Sequence, residues 1–341
     1  MKKVFLLLAL ASMIVACGGS SKNEGAPKST VATVDTLASS SDTFNLAKPE
    51  ATKPVTQPNN EIWYTSSDGK VVKPSKEGKY IFGAVIESNT YKNGKGIIKF
   101  KGNVTTIEYA AFYKCESLKS VTIPNSVTRI GSSAFYDCNN LTSVTIPNSV
   151  TTIGYRAFCD CSSLISVTIP NSVTTIGNGA FSDCKSLTSI TIPNSVKTIE
   201  RAAFEGCSNL TSVTIPNSVT TIGEYAFDEC RSLTSITIPN SVKTIGNYAF
   251  YGCKSLKSIT IPNSVTTIGW SAFECCSSLT SVTIPNSVMT IGNRAFIDCS
   301  NLTSVTIPNS VKTIGEDAFR GCNLSEETKN NIKSINPNAK F

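Results

Sequence analysis

One recurring acidic position is the first feature of this sequence that could support chemistry. An aspartate or glutamate stands two residues after a phenylalanine at Asp137, Asp160, Asp183, Glu229 and Asp298. Two carboxylates are enough for glycoside hydrolysis, because one can act as general acid and the other as base or nucleophile. The chain of 341 residues has no histidine, which excludes Ser/His/Asp and Cys/His nucleophilic systems and imidazole bases. The same spacing also fits a column of solvated turn residues, so we expect a non-catalytic protein without a cofactor.

Cysteine is the second residue type that could support chemistry, since the chain has 13 of them. Ten occupy one repeated position, from Cys115 to Cys322, three residues after a phenylalanine. Side chains stacked in parallel lie about 4.8 Å apart, which is wider than the roughly 3.5–4.5 Å between the β-carbons of a disulfide. We therefore expect buried free thiols that pack as small apolar residues, with no metal site. Cys159 and Cys275 lie beside this column, and the state of their thiols stays open.

A period of 23 residues sets the spacing of these positions. Nine leucines from Leu118 to Leu302 and nine prolines from Pro124 to Pro308 keep the same step as the cysteines. A fixed period of this length predicts a solenoid, whose units bury their apolar faces only by stacking on their neighbours. We therefore predict a β-rich leucine-rich solenoid of 23-residue units, with parallel strands, short α- or 3₁₀-helical turns and a cap at both ends.

Each unit contains two extended segments. Val121 alternates with the polar Ser120 and Thr122, as in a half-buried strand, and a proline then ends the ladder. A second, shorter segment ends at Gly131, where we expect glycine to allow a left-handed turn. The following stretch, residues 132–138, places its apolar residues on one face and is predicted to form about two helical turns against the core. The phenylalanines from these stretches should form one buried column.

The unit resembles the bacterial surface-protein leucine-rich repeat, called BspA-like or treponemal-type, which reads L-x-x-V-x-I-P-x-S-V-x-x-I-G-x-x-A-F-x-x-C. One copy fills these positions with Leu141, Val144, Ile146, Pro147, Val150, Ile153, Gly154, Ala157, Phe158 and Cys161. The match covers about residues 96–322. The resemblance implies a horseshoe or gently curved solenoid on a bacterial cell-surface protein. It also implies binding to other proteins, in several cases host matrix components or other bacteria.

The amino terminus has the pattern of an export signal. Residues 1–16 combine two lysines, a short apolar run and small residues, which is typical of a cleaved signal peptide. Residues 14–17 look like a bacterial lipobox, in which the cysteine is acylated, so Cys17 is the predicted lipidation site. We therefore predict an exported protein that is lipid-anchored at the bacterial membrane, at the outer membrane or cell surface.

The rest of the chain divides by composition and periodicity. Residues 17–60 are rich in Ser, Thr, Ala, Lys and Pro and are predicted to form a flexible tether. Residues 61–95 should form an amino-terminal β cap, and residues 96–322 the repeat solenoid, whose first unit is degraded. Residues 323–341 should form a carboxy-terminal cap.

Local patterns predict the elements of the two caps. Strands are predicted at 62–64, 71–72, 80–82 and 84–86. Residues 96–100 should form the first strand of the repeat stack, because Ile98 and Phe100 precede Val121 and Ile123 by one period. A helix should begin at Ser325 and end before Pro337.

Variation between the copies indicates where a partner could bind. It is concentrated just after the glycine and around the phenylalanine, where residue types typical of binding hot spots occur. The predicted binding residues are Tyr109, Tyr113, Tyr136, Tyr155, Arg156, Tyr225, Tyr248, Tyr251, Trp270 and Arg294. These side chains could also be exposed positions that have drifted. The regular Ser/Thr face of the strands is the other surface that could contact a glycan or a protein strand.

These features favour a surface lipoprotein that acts as a protein-binding or adhesion module. The predicted partner is a host matrix protein or another bacterial surface, with a glycan as a further option and the membrane contacted only through the lipid. The formal charge of +7 falls to +5 when Lys2 and Lys3 leave with the signal. This small positive charge, spread along the chain, argues against a nucleic-acid partner. The alternatives are a self-associating structural surface protein and, less favoured, a carbohydrate-active or glycan-binding protein.

Overall fold

The computed structural model describes residues 56–341, and the structural statements below concern these residues. The predicted signal peptide, the predicted lipidation site Cys17 and most of the predicted tether lie outside them. Within the described residues, no helix has the length and apolar character needed to span a membrane.

Short strands dominate the described part of the chain. The elements of residues 56–341 are, in order, β1 (Glu61–Ser66), α1 (Lys79–Phe82), β2 (Ile86–Lys92), β3 (Lys95–Phe100), β4 (Thr106–Ile107), β5 (Leu118–Thr122), β6 (Arg129–Ile130), β7 (Ser143–Thr145), β8 (Thr152–Ile153), β9 (Ser166–Val167), β10 (Thr175–Ile176), β11 (Ser189–Thr191), β12 (Thr198–Ile199), β13 (Ser212–Thr214), β14 (Thr221–Ile222), β15 (Ser235–Thr237), β16 (Thr244–Ile245), β17 (Ser258–Thr260), β18 (Thr267–Ile268), β19 (Ser281–Thr283), β20 (Thr290–Ile291), β21 (Ser304–Thr306), β22 (Thr313–Ile314) and α2 (Glu326–Ile335).

From β4 onward the strands stack in two parallel columns. We call the odd-numbered strands β5 to β21 the long column and the even-numbered strands β4 to β22 the short column. Most strands pair with the equivalent strand 23 residues later, so that Val121 faces Val144. Both valines are buried, whereas the flanking serines and threonines point away from the core and are mostly exposed. The long column is interrupted between β9 and β11 and between β13 and β15, and the short column between β10 and β12. The predicted parallel solenoid with a 23-residue repeat is confirmed.

The third side of each coil, from the glycine to the cysteine, consists of consecutive turns. In the copy after Gly131, the amides of Ala134, Tyr136 and Cys138 each donate to the carbonyl three residues earlier. The amides of the residues between them, including Phe135, donate to carbonyls of the next repeat. The three-residue spacing is of the expected 3₁₀ type, but no continuous helix forms because every second amide bonds the neighbouring coil.

The phenylalanines form the predicted buried column. Ten rings from Phe112 to Phe319 stack with centroid separations of 5.1–5.8 Å and interplanar angles of 10° or less. Burial of each ring contributes roughly 1.5–3 kcal/mol before ordering entropy is subtracted. The widest spacing, 5.8 Å, separates Phe181 from Phe204.

The cysteine column is buried and also hydrogen-bonded. The cysteines of residues 56–341 are all free. From Cys138 to Cys322, each Sγ donates to the carbonyl of the phenylalanine in the preceding repeat at 3.0–3.2 Å. Burial raises the pKa of the column thiols from Cys138 to Cys276. The prediction of buried free thiols is confirmed, and the structure adds that they tie neighbouring coils together.

The repeated glycine has a different cause from the one expected. Gly131, Gly154 and their equivalents do not have positive φ, so a left-handed turn does not explain them. A Cβ on Gly154 would lie 2.7 Å from the carbonyl carbon of Gly131, and the later copies are equally close to the preceding coil. Glycine is therefore needed because adjacent coils approach too closely for any side chain.

The amino-terminal end differs from the expected stack. Strand β1 lies between β3 and β5 and pairs antiparallel with both. The first predicted repeat strand, β3, is thus one strand removed from its equivalent β5. The strand prediction at 62–64 is confirmed, whereas those at 71–72 and 80–82 are wrong. Residues 71–72 lie in no strand, and residues 80–82 belong to the short helix α1. This helix ends at Gly83, which has a left-handed conformation. Strand β2 begins only at Ile86.

The predicted carboxy-terminal helix is present as α2. Ser325 accepts a hydrogen bond from the amide of Thr328, as in a helix amino-terminal cap. Ile332 is fully buried against the last repeats, and the Asn336 side-chain amide donates to the carbonyl of Ile314 at 2.9 Å. The helix therefore packs on the exposed end of the strand columns.

Candidate functional site

The predicted binding residues lie where each coil leaves its short strand and enters the turns. We call this surface the variable edge and define it by three positions of each repeat: the first and second residues after the glycine or its replacement, and the residue after the phenylalanine. Tyr109, Tyr155 and Trp270 occupy the first position and are 61, 48 and 49% exposed. The second and third positions hold the remaining predicted residues: Arg156, Tyr225, Tyr248 and Arg294, then Tyr113, Tyr136 and Tyr251.

The backbone is left-handed at the second position of the variable edge. All ten copies have φ between 50° and 62° there, although only one of them is glycine. This conformation costs a non-glycine residue roughly 1–2 kcal/mol. It is held by hydrogen bonds to the next coil, such as that from the Arg156 amide to the Asn178 carbonyl at 3.0 Å. The side chains at this position are therefore presented on a rigid frame.

The structure brings the aromatic residues together in separate groups. Near the amino-terminal end, the rings of Tyr113 and Tyr136 stack with centroids 5.2 Å apart. In the middle, the rings of Tyr225 and Tyr248 stack at 4.8 Å, and Tyr251 lies 6.1 Å from Tyr248. Aromatic stacking on neighbouring coils fixes these rings without burying them.

The remaining predicted residues lie outside these stacked groups. Tyr155 and Arg156 belong to one coil, and the Arg156 guanidinium carbon lies 5.2 Å from the Tyr155 ring centroid. Trp270 and Arg294 lie on later coils at exposed positions. The predicted residues thus share one edge without converging on a single point.

One cleft of about 490 Å³ opens on the variable edge. Tyr155 and Arg156 line it on one side, and Arg201 and Tyr225 line it two and three coils further on. The cleft therefore spans four successive coils and contains three of the ten predicted residues.

Polar side chains lie within the cleft. Ser182, which is buried, donates a 3.5 Å hydrogen bond to the Glu205 carboxylate. Burial and the nearby Asp183 raise the pKa of Glu205, while Arg156 and Arg201 oppose this shift. The cleft thus combines two cations with one partly desolvated acid.

Asn178, Ser182, Arg201 and Glu205 were not among the predicted binding residues. They are individually ordinary surface residue types, and only stacking brings them next to Tyr155 and Arg156. One signal could have indicated the location, because the coil with Arg201 is the one full copy whose glycine is replaced, by Glu200.

The acidic column has a backbone explanation. Asp137, Asp160, Asp183, Glu229 and Asp298 all have φ between 55° and 60°, and Gly206, Gly252 and Gly321 fill the same position in other copies. Aspartate, asparagine and glycine tolerate the left-handed conformation better than most residues. The column thus consists of turn residues, and its recurrence follows from the turn.

The two cysteines beside the column occupy ordinary positions of the turn. Cys159 is buried at the position after the phenylalanine, and burial raises its pKa to about 12. Cys275 is partly exposed at the left-handed position, and burial also raises its pKa. In residues 56–341, no group of three or more His, Cys, Asp or Glu side chains is arranged to hold a metal ion.

The fold and the repeated unit define this protein as a leucine-rich repeat solenoid of the bacterial surface type. The chain matches the family described as the BspA type leucine rich repeat region, in six copies, over residues 85–211 and 220–339. It therefore belongs to this family, whose repeat fold generally serves as a non-catalytic binding module. The match indicates no enzyme family.

The chain is also similar to several solved structures. A leucine rich cell surface protein of Faecalibacterium prausnitzii is 29% identical, with a TM-score of 0.50, over 80% of this chain and 88% of that chain. A leucine-rich repeat protein of Bacteroides ovatus is 28% identical, with a TM-score of 0.38, over 74% and 89% of the two chains. The leucine rich repeat protein of T. pallidum is 23% identical, with a TM-score of 0.41, over 78% and 99%. No curated protein matches the chain.

Proposed function

We propose that this protein is a cell-surface binding module that recognises a protein partner through the variable edge. One observation carries the proposal: the core columns are nearly uniform from coil to coil, whereas the variable edge differs in every coil and exposes tyrosine, tryptophan and arginine. These residue types are enriched at binding hot spots. The rigid left-handed frame reduces the ordering entropy that binding would otherwise cost.

A partner that extends along the solenoid suits this surface best. The aromatic groups lie on different coils, so a compact partner would contact only some of them. An extended partner could contact several groups at once, and weak contacts along one rigid surface would then combine. Host matrix proteins and the surfaces of other bacteria fit this description.

The test is a binding screen with the purified protein against host matrix proteins, bacterial surfaces and glycans. A saturable protein hit should be weakened about 30-fold or more by Tyr155→Ala, Tyr248→Ala or Trp270→Ala, as expected for hot spots worth about 2 kcal/mol. Tyr80→Ala is the matched control, because Tyr80 is exposed but lies on α1, outside the three positions that define the variable edge. Self-association without any hit would instead support a structural surface protein.

We further propose that Cys17 is acylated and anchors the protein at the outer membrane or cell surface, with residues 17–60 as the tether. The lipobox pattern supports this proposal. In the native host, Cys17→Ser should abolish metabolic labelling with a fatty-acid analogue and move the protein from the membrane fraction to the soluble fraction. Unchanged labelling of that variant would contradict the proposal.

A further inference from the structure

The cleft on the variable edge exists because two small residues lie between two bulky ones. At the second position of successive coils the order is Arg156, Gly179, Ala202 and Tyr225. A Cβ on Gly179 would lie 3.2 Å from Cγ of Arg156, so even a small side chain there would crowd the arginine. Because Gly179 has no side chain and Ala202 has only a methyl group, the space above them stays open, and the larger side chains of Arg156 and Tyr225 flank it.

Neighbouring coils are also less tightly joined at this place. Elsewhere along the short column, the amide at the glycine position donates to the isoleucine carbonyl of the coil before. No such bond joins the amide of Glu200 to Ile176, and the strands β10 and β12 do not pair. The widest phenylalanine spacing falls between the same two coils. The glutamate Cβ needs room that the other coils do not leave, so the edge widens here.

Each of the two arginines of the cleft lies against a tyrosine ring, and within residues 56–341 only Arg201 has a carboxylate at ion-pair distance. The guanidinium carbons of Arg156 and Arg201 each lie 5.2 Å from a tyrosine ring centroid, that of Tyr155 and that of Tyr225. Among the described residues, no carboxylate lies within 4.0 Å of Arg156, and Arg201 has only a 3.9 Å contact with Glu224. Both cations therefore keep hydrogen-bonding capacity for a ligand.

The ligand class follows from this combination of groups. Guanidinium groups bind carboxylates with two parallel hydrogen bonds, so an acidic ligand is favoured. A polyanion is disfavoured, because Glu205 lies in the same cleft. Asn178 and Ser182 supply neutral hydrogen-bonding groups for hydroxyls. A volume of about 490 Å³ lies within the usual range for small-molecule sites.

We propose that the cleft binds a sugar unit that carries one carboxylate, such as a uronic or sialic acid at the end of a glycan. The carboxylate would contact Arg156 and Arg201, and the ring hydroxyls would face Asn178 and Ser182. A peptide would offer a carboxylate too, but it presents fewer hydroxyls to Asn178 and Ser182 than a sugar ring does, and a glutamate peptide presents no alcohol hydroxyl. This inference does not depend on the protein-binding proposal, because two of the three variants in that test, Tyr248→Ala and Trp270→Ala, lie outside the cleft.

Titration of the whole protein, followed by calorimetry or ligand-observed NMR, tests the inference. The probes are glucuronic acid and N-acetylneuraminic acid, with glucose and a triglutamate peptide as comparisons. Both acidic sugars should saturate a single site, whereas glucose should bind at least about tenfold more weakly, since one charge-assisted contact is worth about 1.5–3 kcal/mol. Arg156→Met and Arg201→Met should each weaken the acidic sugars by the same factor or more.

Two further variants separate the cleft from general charge and from folding defects. Ala202→Tyr should abolish binding by filling the cleft, and it is compatible with the backbone because Tyr225 has almost the same φ at the equivalent position. Arg129→Met removes an exposed arginine on β6, outside the cleft and the variable edge, and should leave binding unchanged. Equal affinity for glucose, equal affinity for triglutamate, or an equal loss in Arg129→Met would each overturn the inference. An absence of binding would overturn it as well.

Discussion

At the residue scale, one acid in the turns, Asp228, is half-buried in an unfavourable environment. It lies between the two left-handed positions of its coil. Asp228 follows Phe227, and its Oδ1 atom is buried without a hydrogen-bond partner in the structure. Burial, Glu205 and Glu229 together raise its pKa to about 7. Its unfolded pKa is about 3.9, so the folded protein binds this proton more tightly than the unfolded chain does.

The stability of the protein should therefore depend on Asp228 in a defined direction of pH. At acidic pH the Asp228 carboxyl is protonated and neutral, so its burial costs little. As the pH rises through about 7, the carboxyl ionises in the folded protein and the free energy of unfolding falls. Asp228→Asn should raise the free energy of unfolding at pH 8 by on the order of 1 kcal/mol, after allowance for solvent screening. At pH 4 it should have little effect. Urea denaturation at both pH values measures the difference.

A matched variant distinguishes this pH effect from a general effect of asparagine. Asp298→Asn changes an exposed aspartate and should give the same small change in stability at both pH values. The interpretation of Asp228 fails if the two variants respond to pH in the same way.

At the element scale, the short strand column depends on the absence of a side chain at the glycine position. A Cβ on Gly246 would meet the carbonyl carbon of Gly223 at 2.6 Å, so neighbouring short strands come close enough to pair only where this position is glycine. Glu200 is a natural test of this rule, because the ladder is interrupted there. Close approach of backbones, not the turn, therefore explains the glycine of the repeat.

Substitutions at this position should act in opposite directions. Glu200→Gly should let β10 and β12 pair and raise the free energy of unfolding by about 1 kcal/mol, since the regained hydrogen bonds outweigh the entropy of a glycine. Gly246→Ala should lower it by roughly 1–3 kcal/mol, because the coils must separate. Chemical denaturation measures both changes, and hydrogen exchange at the amide of residue 200 locates the first. Destabilisation by Glu200→Gly would be inconsistent with this account.

At the scale of the whole molecule, the repeats stack without a natural limit, so the ends need separate elements. At the amino-terminal end, β1 takes the position next to β5, and its antiparallel direction interrupts the repeat pattern. At the other end, α2 packs across β21 and β22. We propose that these two elements act as caps, because an exposed strand edge over an apolar core favours association between copies.

Removal of residues 323–341 should accordingly convert the protein into oligomers whose size grows with concentration. The truncated chain would expose the apolar groups that Ile332 now covers. Sedimentation or size-exclusion measurements at several concentrations detect the change. A chain ended after Asn336 keeps α2 and is the control, which should behave like the full protein. Monomeric behaviour of the chain that ends at residue 322 would show that α2 is not a cap.

Most of the repeating core could be predicted from the sequence. Several local patterns each predict a single kind of structure. They are the alternation around Val121, the repeated phenylalanines and cysteines, and the helix-capping residue Ser325. These features repeat because every coil meets the same environment, so a single unit describes nearly all of them. The sequence alone therefore determined the solenoid, its period, its buried columns and the helix α2.

Only the tertiary structure decided how the copies differ and what lies at the ends. The pairing of Trp63 with Thr122 joins residues far apart in the chain, and no local sequence pattern predicts an antiparallel strand beside β5. The cleft likewise depends on Gly179, Glu200 and Arg201 lying in adjacent coils, where the loss of one hydrogen bond and one side chain opens a space. The physical reason is the same in both cases: contacts between coils are long-range, and their consequences depend on the neighbour rather than on the residue itself.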